Sequence, residues 1–203
     1  MTSGPIRRFG FDLDNTIIDY GPSVEEYCLF RQLPKLNKVT SLRKYLRELD
    51  SSDQKWQEAQ SWIYVDGLAY ARVNEGVSEL CRQLSSKEID LFIVSHKTKK
   101  TQERFGGRDL LNPVSEWIKN SEVGKYFSIG ANVHCAPTRE EKIIKIDQLK
   151  LSGFVDDLLE VLIDVKFPSR TKRYLLSQEN YLKLPQEITV IESFGSLIEK
   201  LEL

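Results

Sequence analysis

The segment FDLDNT, residues 11–16, places two aspartates and an asparagine at the end of a short apolar stretch. An aromatic pair precedes the first acid, and the pattern predicts a β-strand from Ile6 to Asp12 that runs into a loop. Side chains two positions apart on a strand return to the same face. Asp12 and Asp14 are therefore expected to face the same way at this strand end.

Further apolar segments without helical spacing predict more strands, and amphipathic segments predict helices between them. The predicted strands are IDLFIV at residues 89–94, 126–134, GFV at 153–155, 173–176 and 188–191. The predicted helices of this part of the chain are 114–120, 138–149 and 193–201. Strands that alternate with helices indicate a Rossmann-like α/β fold, with a parallel sheet and helices on both faces.

The region between residues 23 and 88 has helical patterning instead. Polar residues typical of helix N-termini occur at Ser23, at Thr40 or Ser41, at Ser51 or Ser52, and at Asn74. We therefore predict a catalytic α/β core formed by residues 1–18 and 75–203. Residues 19–74 are predicted to form a small all-helical domain inserted into it.

Composition restricts the partners of the chain. The 203 residues include 29 Lys plus Arg against 30 Asp plus Glu, so the net charge is -1. Proteins that bind nucleic-acid polymers normally carry a basic excess, so no such partner is expected. The three cysteines, widely spaced, predict neither a disulfide scaffold nor a zinc site. The sequence has no long apolar run and no apolar stretch before its first acid, so we expect a cytoplasmic protein without membrane contact.

Polar residues follow three of the predicted strands. In open α/β sheets, ligands bind beyond the carboxyl ends of the strands. Asp12 and Asp14 follow the first strand, Ser95 and His96 follow IDLFIV, and Asp156 and Asp157 follow GFV. A lysine, Lys142, lies in the first turn of the helix before the GFV strand. These groups are expected to meet at one edge of the sheet.

The order of these segments resembles the signature blocks of the haloacid dehalogenase (HAD) superfamily of hydrolases. The blocks are FDLDNT, the strand ending in IVSHKT, a lysine, and the acidic strand end FVDD, within roughly residues 6–165. The resemblance implies a phosphatase with a HAD-like core. It also implies a helical cap after the first block, with hinges expected near Gly21–Pro22 and residues 72–74.

The resemblance also implies the chemistry of the site. Asp12 is implied as the nucleophile that forms an aspartyl-phosphate, and Asp14 as the general acid and base. Magnesium is the implied cofactor, because it prefers oxygen ligands. Its predicted ligands are Asp12, the backbone carbonyl of Asp14, Asp156, and Asp157 directly or through water. The matching phosphate-binding groups are the Ser95 hydroxyl, the His96 amide and the Lys142 ammonium, with Arg139 as a minor alternative to the lysine.

Two other groups of residues are given structural interpretations. The basic run Lys97, Lys99, Lys100 and Arg104 adjoins the expected phosphate site, but such runs are most often solvated loops. Trp56, Trp62 and Tyr64 are interpreted as the core of the helical block. Two alternatives stay open: the basic run could contact a substrate with extra negative charge, and the three aromatic residues could line a substrate pocket.

Several alternatives stay open on sequence alone. A phosphotransferase or mutase would use the same residues as a phosphatase. A dehalogenase would not need Asp14, and a receiver domain would have its acid pair before the lysine. The remaining alternative is a catalytically silent HAD-like binding module. The expected substrate is a small phosphorylated metabolite, and neither its identity nor the oligomeric state is predicted.

Overall fold

The structure is a computed structural model that describes residues 7–202. Its centre is a parallel sheet of six strands in the order β5-β4-β1-β6-β7-β8. The strands are β1 (Arg8–Phe11), β4 (Asp90–His96), β5 (Val133–Ala136), β6 (Gly153–Asp156), β7 (Lys172–Leu176) and β8 (Ile188–Ile191). The predicted α/β fold with a parallel sheet is confirmed. Ile6, the predicted first residue of β1, lies outside the described residues.

Helices cover both faces of this sheet because neighbouring strand residues point to opposite sides. One buried cluster contains Phe11 and Val155 and packs against α4 (Val77–Ser86), α5 (Leu111–Asn120) and α8 (Phe194–Lys200). The other contains Val94 and Phe154 and packs against α6 (Arg139–Gln148) and α7 (Leu159–Leu162). Across residues 7–202, no helix combines the length and apolarity needed to cross a membrane.

Three helices fill the segment predicted as an insertion. They are α1 (Gly21–Phe30), α2 (Val39–Leu49) and α3 (Gln54–Ile63), and a short 3-10 helix follows at Asp66–Ala69. The two chain passages that lead into and out of this helical block form a small antiparallel ribbon, β2 (Ile18–Asp19) with β3 (Arg72–Val73). The Arg72 guanidinium donates to Asp19 at 2.8 Å across it. The division into a core and an inserted domain stays a prediction.

Some local predictions were wrong. The segment 126–134 is not one strand: a 3-10 helix covers Gly124–Tyr126 and β5 begins only at Val133. Ser23 does not begin α1, because its buried hydroxyl donates to the Gly67 carbonyl at 2.7 Å and so joins α1 to the 3-10 helix. Ile144, predicted to face inward on α6, is exposed. Two of these errors involve a contact with a distant part of the chain that local spacing does not encode: Ser23 bonds to Gly67, and the Asn132 side chain donates to the Leu91 carbonyl at 2.7 Å.

Candidate active site

The register of the central strands brings the predicted site segments to one edge. Phe11 of β1 pairs with Ile93 on one side and with Val155 on the other. The next residue, Asp12, donates its amide to the Val155 carbonyl at 2.8 Å. Asp12 and Asp156 thus directly follow Phe11 and Val155, which are partners in neighbouring strands. Ser95 lies two residues after Ile93, near the end of β4. All three are buried.

Lys142 reaches this edge from α6. The helix begins where the sequence predicted, because the Thr138 hydroxyl accepts a hydrogen bond from the Glu141 amide at 3.1 Å. Lys142 is almost fully buried, and its ammonium donates to Asp12 at 2.5 Å and to Asp156 at 2.6 Å. Burial would lower the pKa of Lys142, but the charges of the two aspartates outweigh it and raise that pKa. The lysine therefore stays positively charged.

The acids around this lysine outnumber it. Carboxylate oxygens of Asp12, Asp156 and Asp157 lie within 4.8 Å of one another. Burial, opposed by Lys142 and reinforced by Asp156 and Asp14, raises the pKa of Asp12 to about 7. Burial and the charges of Asp12 and Asp156 likewise raise the pKa of Asp157 well above its usual range. Three close carboxylates with one ammonium fit a divalent cation with oxygen ligands.

Asp14 lies in a separate set of contacts, although only one residue separates it from Asp12. Both of its carboxylate oxygens accept hydrogen bonds from the Lys97 ammonium, at 2.9 and 2.7 Å. One of them also accepts a hydrogen bond from the Tyr20 hydroxyl at 2.7 Å. These donors engage both oxygens of the Asp14 carboxylate, and the metal contact of its backbone carbonyl stays a prediction.

The turn after Asp14 shows why the sequence has asparagine there. Asn15 has a φ of 60°, in the left-handed region that asparagine tolerates better than most residues. The turn begins the loop between β1 and β2, in which Asp14 and Ile18 form a parallel bridge. Ile17 and Ile18 then donate their amides to the Leu13 carbonyl, at 3.0 and 2.9 Å, which fixes the loop.

The remaining predicted residues flank the site. The His96 ring is exposed, and its Nε2 lies 3.1 Å from the Pro137 carbonyl, so the imidazole is held against the segment that leads into α6. Arg139, the minor alternative to Lys142, lies near the Asp164 carboxylate at 3.8 Å and is not among the groups that contact Asp12. The functional roles of these residues stay predictions.

Sequence reasoning missed three residues. The basic run around Lys97 predicts a solvated loop, yet Lys97 is buried and bound to Asp14. Tyr64, at the end of α3, was interpreted as core of the helical block, but its ring faces the Lys97 ammonium at 4.4 Å and the Tyr20 ring at 5.0 Å. A signal for Lys97 was available, because it lies two positions after Ser95 and therefore on the same strand face. Tyr20 and Tyr64 carried no such signal.

Neither a protein-family model nor a curated protein sequence matches the chain. Solved structures do match nearly its whole length. A HAD-superfamily hydrolase of subfamily IA, variant 1, from Geobacter sulfurreducens has a TM-score of 0.59 at 15% identity, covering 98% of this chain and 99% of its own. A predicted phosphoglycolate phosphatase from Haemophilus somnus has a TM-score of 0.58 at 13% identity, covering 96% and 97%.

A predicted phosphatase from Clostridium acetobutylicum is similar to the same extent, with a TM-score of 0.58 at 15% identity over 98% and 99% of the two chains. At such low identity these likenesses establish the fold and not the reaction. The chain has the fold of the HAD-superfamily hydrolases, as the four sequence blocks predicted.

Proposed function

We propose that the protein is a magnesium-dependent phosphatase that hydrolyses a small phosphorylated metabolite through an aspartyl-phosphate. One observation carries the proposal: the Lys142 ammonium contacts both Asp12 and Asp156 in a buried site where Asp157 adds a third carboxylate. Such a set offers a nucleophile, a fixed cation for phosphate, and oxygen ligands for a metal. The HAD-like fold supports a hydrolase.

The proposed reaction has two displacements at phosphorus. In the first, an Asp12 oxygen bonds to phosphorus, the bond to the ester oxygen breaks, and Asp14 gives a proton to the leaving oxygen. In the second, a water oxygen bonds to phosphorus, the bond to Asp12 breaks, and Asp14 takes the proton of that water. The products are an alcohol and inorganic phosphate, and both aspartates return to their starting states.

Charge explains the proposed need for a metal. The raised pKa of Asp12 reflects burial beside other acids, and a dianionic phosphate would add further negative charge. Magnesium bound by Asp12, Asp156 and Asp157 would offset the repulsion between the nucleophilic carboxylate and the phosphate. Lys142 supplies one positive charge from the protein itself, and the Ser95 hydroxyl and the His96 amide are proposed as further phosphate donors.

The surroundings of Asp14 support a small substrate. Tyr20 contacts the Asp14 carboxylate, and Tyr64 of the helical block lies over Lys97 next to it. Tyr20 thus lies against the acid that is proposed to protonate the leaving group, and Tyr64 lies against the lysine that is paired with this acid. A compact phosphate ester is easier to accommodate beside them than a phosphorylated protein surface.

The test is a screen of phosphorylated metabolites with magnesium present and absent, read out as released inorganic phosphate. We expect turnover only with magnesium, and none from Asp12→Asn. Asp90→Asn is a matched control, because this exposed aspartate lies at the opposite end of β4. Phosphate release that persists in Asp12→Asn, or that does not depend on magnesium, would contradict the proposal.

A further inference from the structure

Lys97 is a second buried lysine at the active edge, and Asp14 is its counter-ion. Its side chain is 3% exposed, and its ammonium donates to both oxygens of the Asp14 carboxylate. A buried ammonium is unfavourable unless an opposite charge and hydrogen bonds compensate for lost hydration. Because the two groups bond through both oxygens, each fixes the orientation of the other.

The backbone explains why Lys97 points to Asp14. The Lys97 amide donates to the Ala136 carbonyl at 2.9 Å, which extends the pairing of β4 with β5 beyond His96. Lys97 therefore continues the alternation of the strand, on the face where Ser95 lies. The neighbouring exposed lysines, Lys99 and Lys100, lie beyond this extension.

Two tyrosines complete the surroundings of the pair. Burial and the Asp14 charge raise the pKa of Tyr20 well above its usual range, so its hydroxyl stays protonated and donates to Asp14. Burial and the same charge also raise the pKa of Tyr64. Its neutral ring lies over the Lys97 ammonium, which is a favourable cation–π arrangement. Asp14 thus accepts three hydrogen bonds and donates none.

We propose that Lys97 is a positioning residue that, together with Tyr20, fixes the orientation of the Asp14 carboxyl group for its proton transfers in the two displacements. Three hydrogen bonds from two donors fix the direction in which the Asp14 carboxyl group points. Tyr64 covers the pair, so the helical block contributes to this arrangement. The inference rests on the proposed phosphatase activity and assigns to Lys97 a role that is distinct from phosphate binding by Lys142.

The two displacements can be separated with p-nitrophenyl phosphate, whose leaving group departs without help from an acid. Loss of Asp14 positioning should then slow only the hydrolysis of the aspartyl-phosphate. For Lys97→Met we expect a retained burst of p-nitrophenol and a steady-state rate lowered roughly 10- to 100-fold, the scale of a small misplacement of a catalytic group. Mass spectrometry should find phosphoryl groups accumulating on Asp12.

Two further variants make the test specific. Lys99→Met removes an exposed lysine from the same loop and should behave as the wild type. Tyr20→Phe removes one hydrogen bond to Asp14 and should change the ratio of burst to steady-state rate in the same direction, by less. It also keeps the inference testable if Lys97→Met does not fold, which circular dichroism would show.

The outcomes separate the inference from the proposed function. If burst and steady-state rate fall together without phosphoryl accumulation, or if Lys97→Met and Tyr20→Phe match the wild type, the inference is overturned while the phosphatase stands. If the wild type itself shows no Asp12-dependent turnover of any phosphate ester, the proposed function fails and the inference fails with it.

Discussion

Two buried lysines lie at the same edge of the sheet, and the ratio of carboxylates to ammonium groups differs between their surroundings. The strand-end cluster, formed by Lys142 with Asp12, Asp156 and Asp157, has three carboxylates for one ammonium. The Asp14 cluster, formed by Lys97 with Asp14, Tyr20 and Tyr64, has one carboxylate for one ammonium. The first cluster has more carboxylates than ammonium groups, whereas the second has one of each. A divalent cation should therefore act on the first and leave the second unchanged.

The largest expected effect is the loss of the proposed nucleophile. Asp12→Asn should lower turnover by at least roughly 10⁴-fold, the scale found when one member of a cooperating catalytic set is removed. The variant should still fold, because Lys142 keeps its contact with Asp156. Single-turnover kinetics and urea unfolding, measured together, check both statements. A variant with wild-type turnover would remove the strand-end cluster from the reaction.

Substitution of Lys142 should increase the excess of negative charge in the strand-end cluster. Lys142→Met leaves three buried or half-buried acids without their cation, and breaking a buried ion pair from one side typically costs about 3–5 kcal/mol. The free energy of unfolding from urea titration, with and without magnesium, measures this. Magnesium should restore part of the loss in Lys142→Met. Because the Asp14 cluster is balanced, magnesium should restore none of the loss caused by Lys97→Met.

The metal should also stabilise the wild type, and more so at higher pH. A carboxyl whose pKa rises on folding from 3.8 to about 7 binds its proton more tightly when folded. Its contribution is therefore fully present below about pH 4 and is lost as the pH rises through 7. Magnesium requires the ionised acids, so its stabilisation should be larger near pH 8 than near pH 5.5.

The expected size follows from mass action. Magnesium at a hundredfold excess over its Kd should add about 2.7 kcal/mol. For a chain of this length that corresponds to a rise in Tm of about 5–10 °C. Thermal unfolding at both pH values tests this, with Asp12→Asn as the comparison in which the pH dependence should shrink. An equal rise at both values would contradict the assignment of the raised pKa to the metal-binding acids.

The same contrast separates what the sequence predicts from what it does not. Asp12, Asp156 and Lys142 come together because parallel strands end at one edge and Thr138 begins α6, and both features are local patterns. The Asp14 cluster depends on Tyr20 and Tyr64, which reach the edge only when the helical block packs on the core. The burial of Lys97 is not predicted, because composition does not show which residue of a basic run will be covered.

Exposed ion pairs between the helical block and the rest of the chain should have the smallest effect on the free energy of unfolding. The Arg108 guanidinium pairs with Asp66 in the block, at 2.5 and 2.6 Å, and joins the loop after β4 to the 3-10 helix. Both side chains are more than a third exposed, and exposed ion pairs typically contribute less than about 1 kcal/mol.

Arg108→Ala should therefore change the free energy of unfolding by less than about 1 kcal/mol. Arg82→Ala, which breaks an exposed pair within α4, is the matched control and should behave similarly.

Tyr64→Leu provides a contrast to Arg108→Ala. It removes the ring over Lys97 and should slow hydrolysis of the aspartyl-phosphate, as Tyr20→Phe does. If Arg108→Ala slows that step as much as Tyr64→Leu, the helical block acts through its position as a whole, and the Asp14 cluster is not a distinct unit.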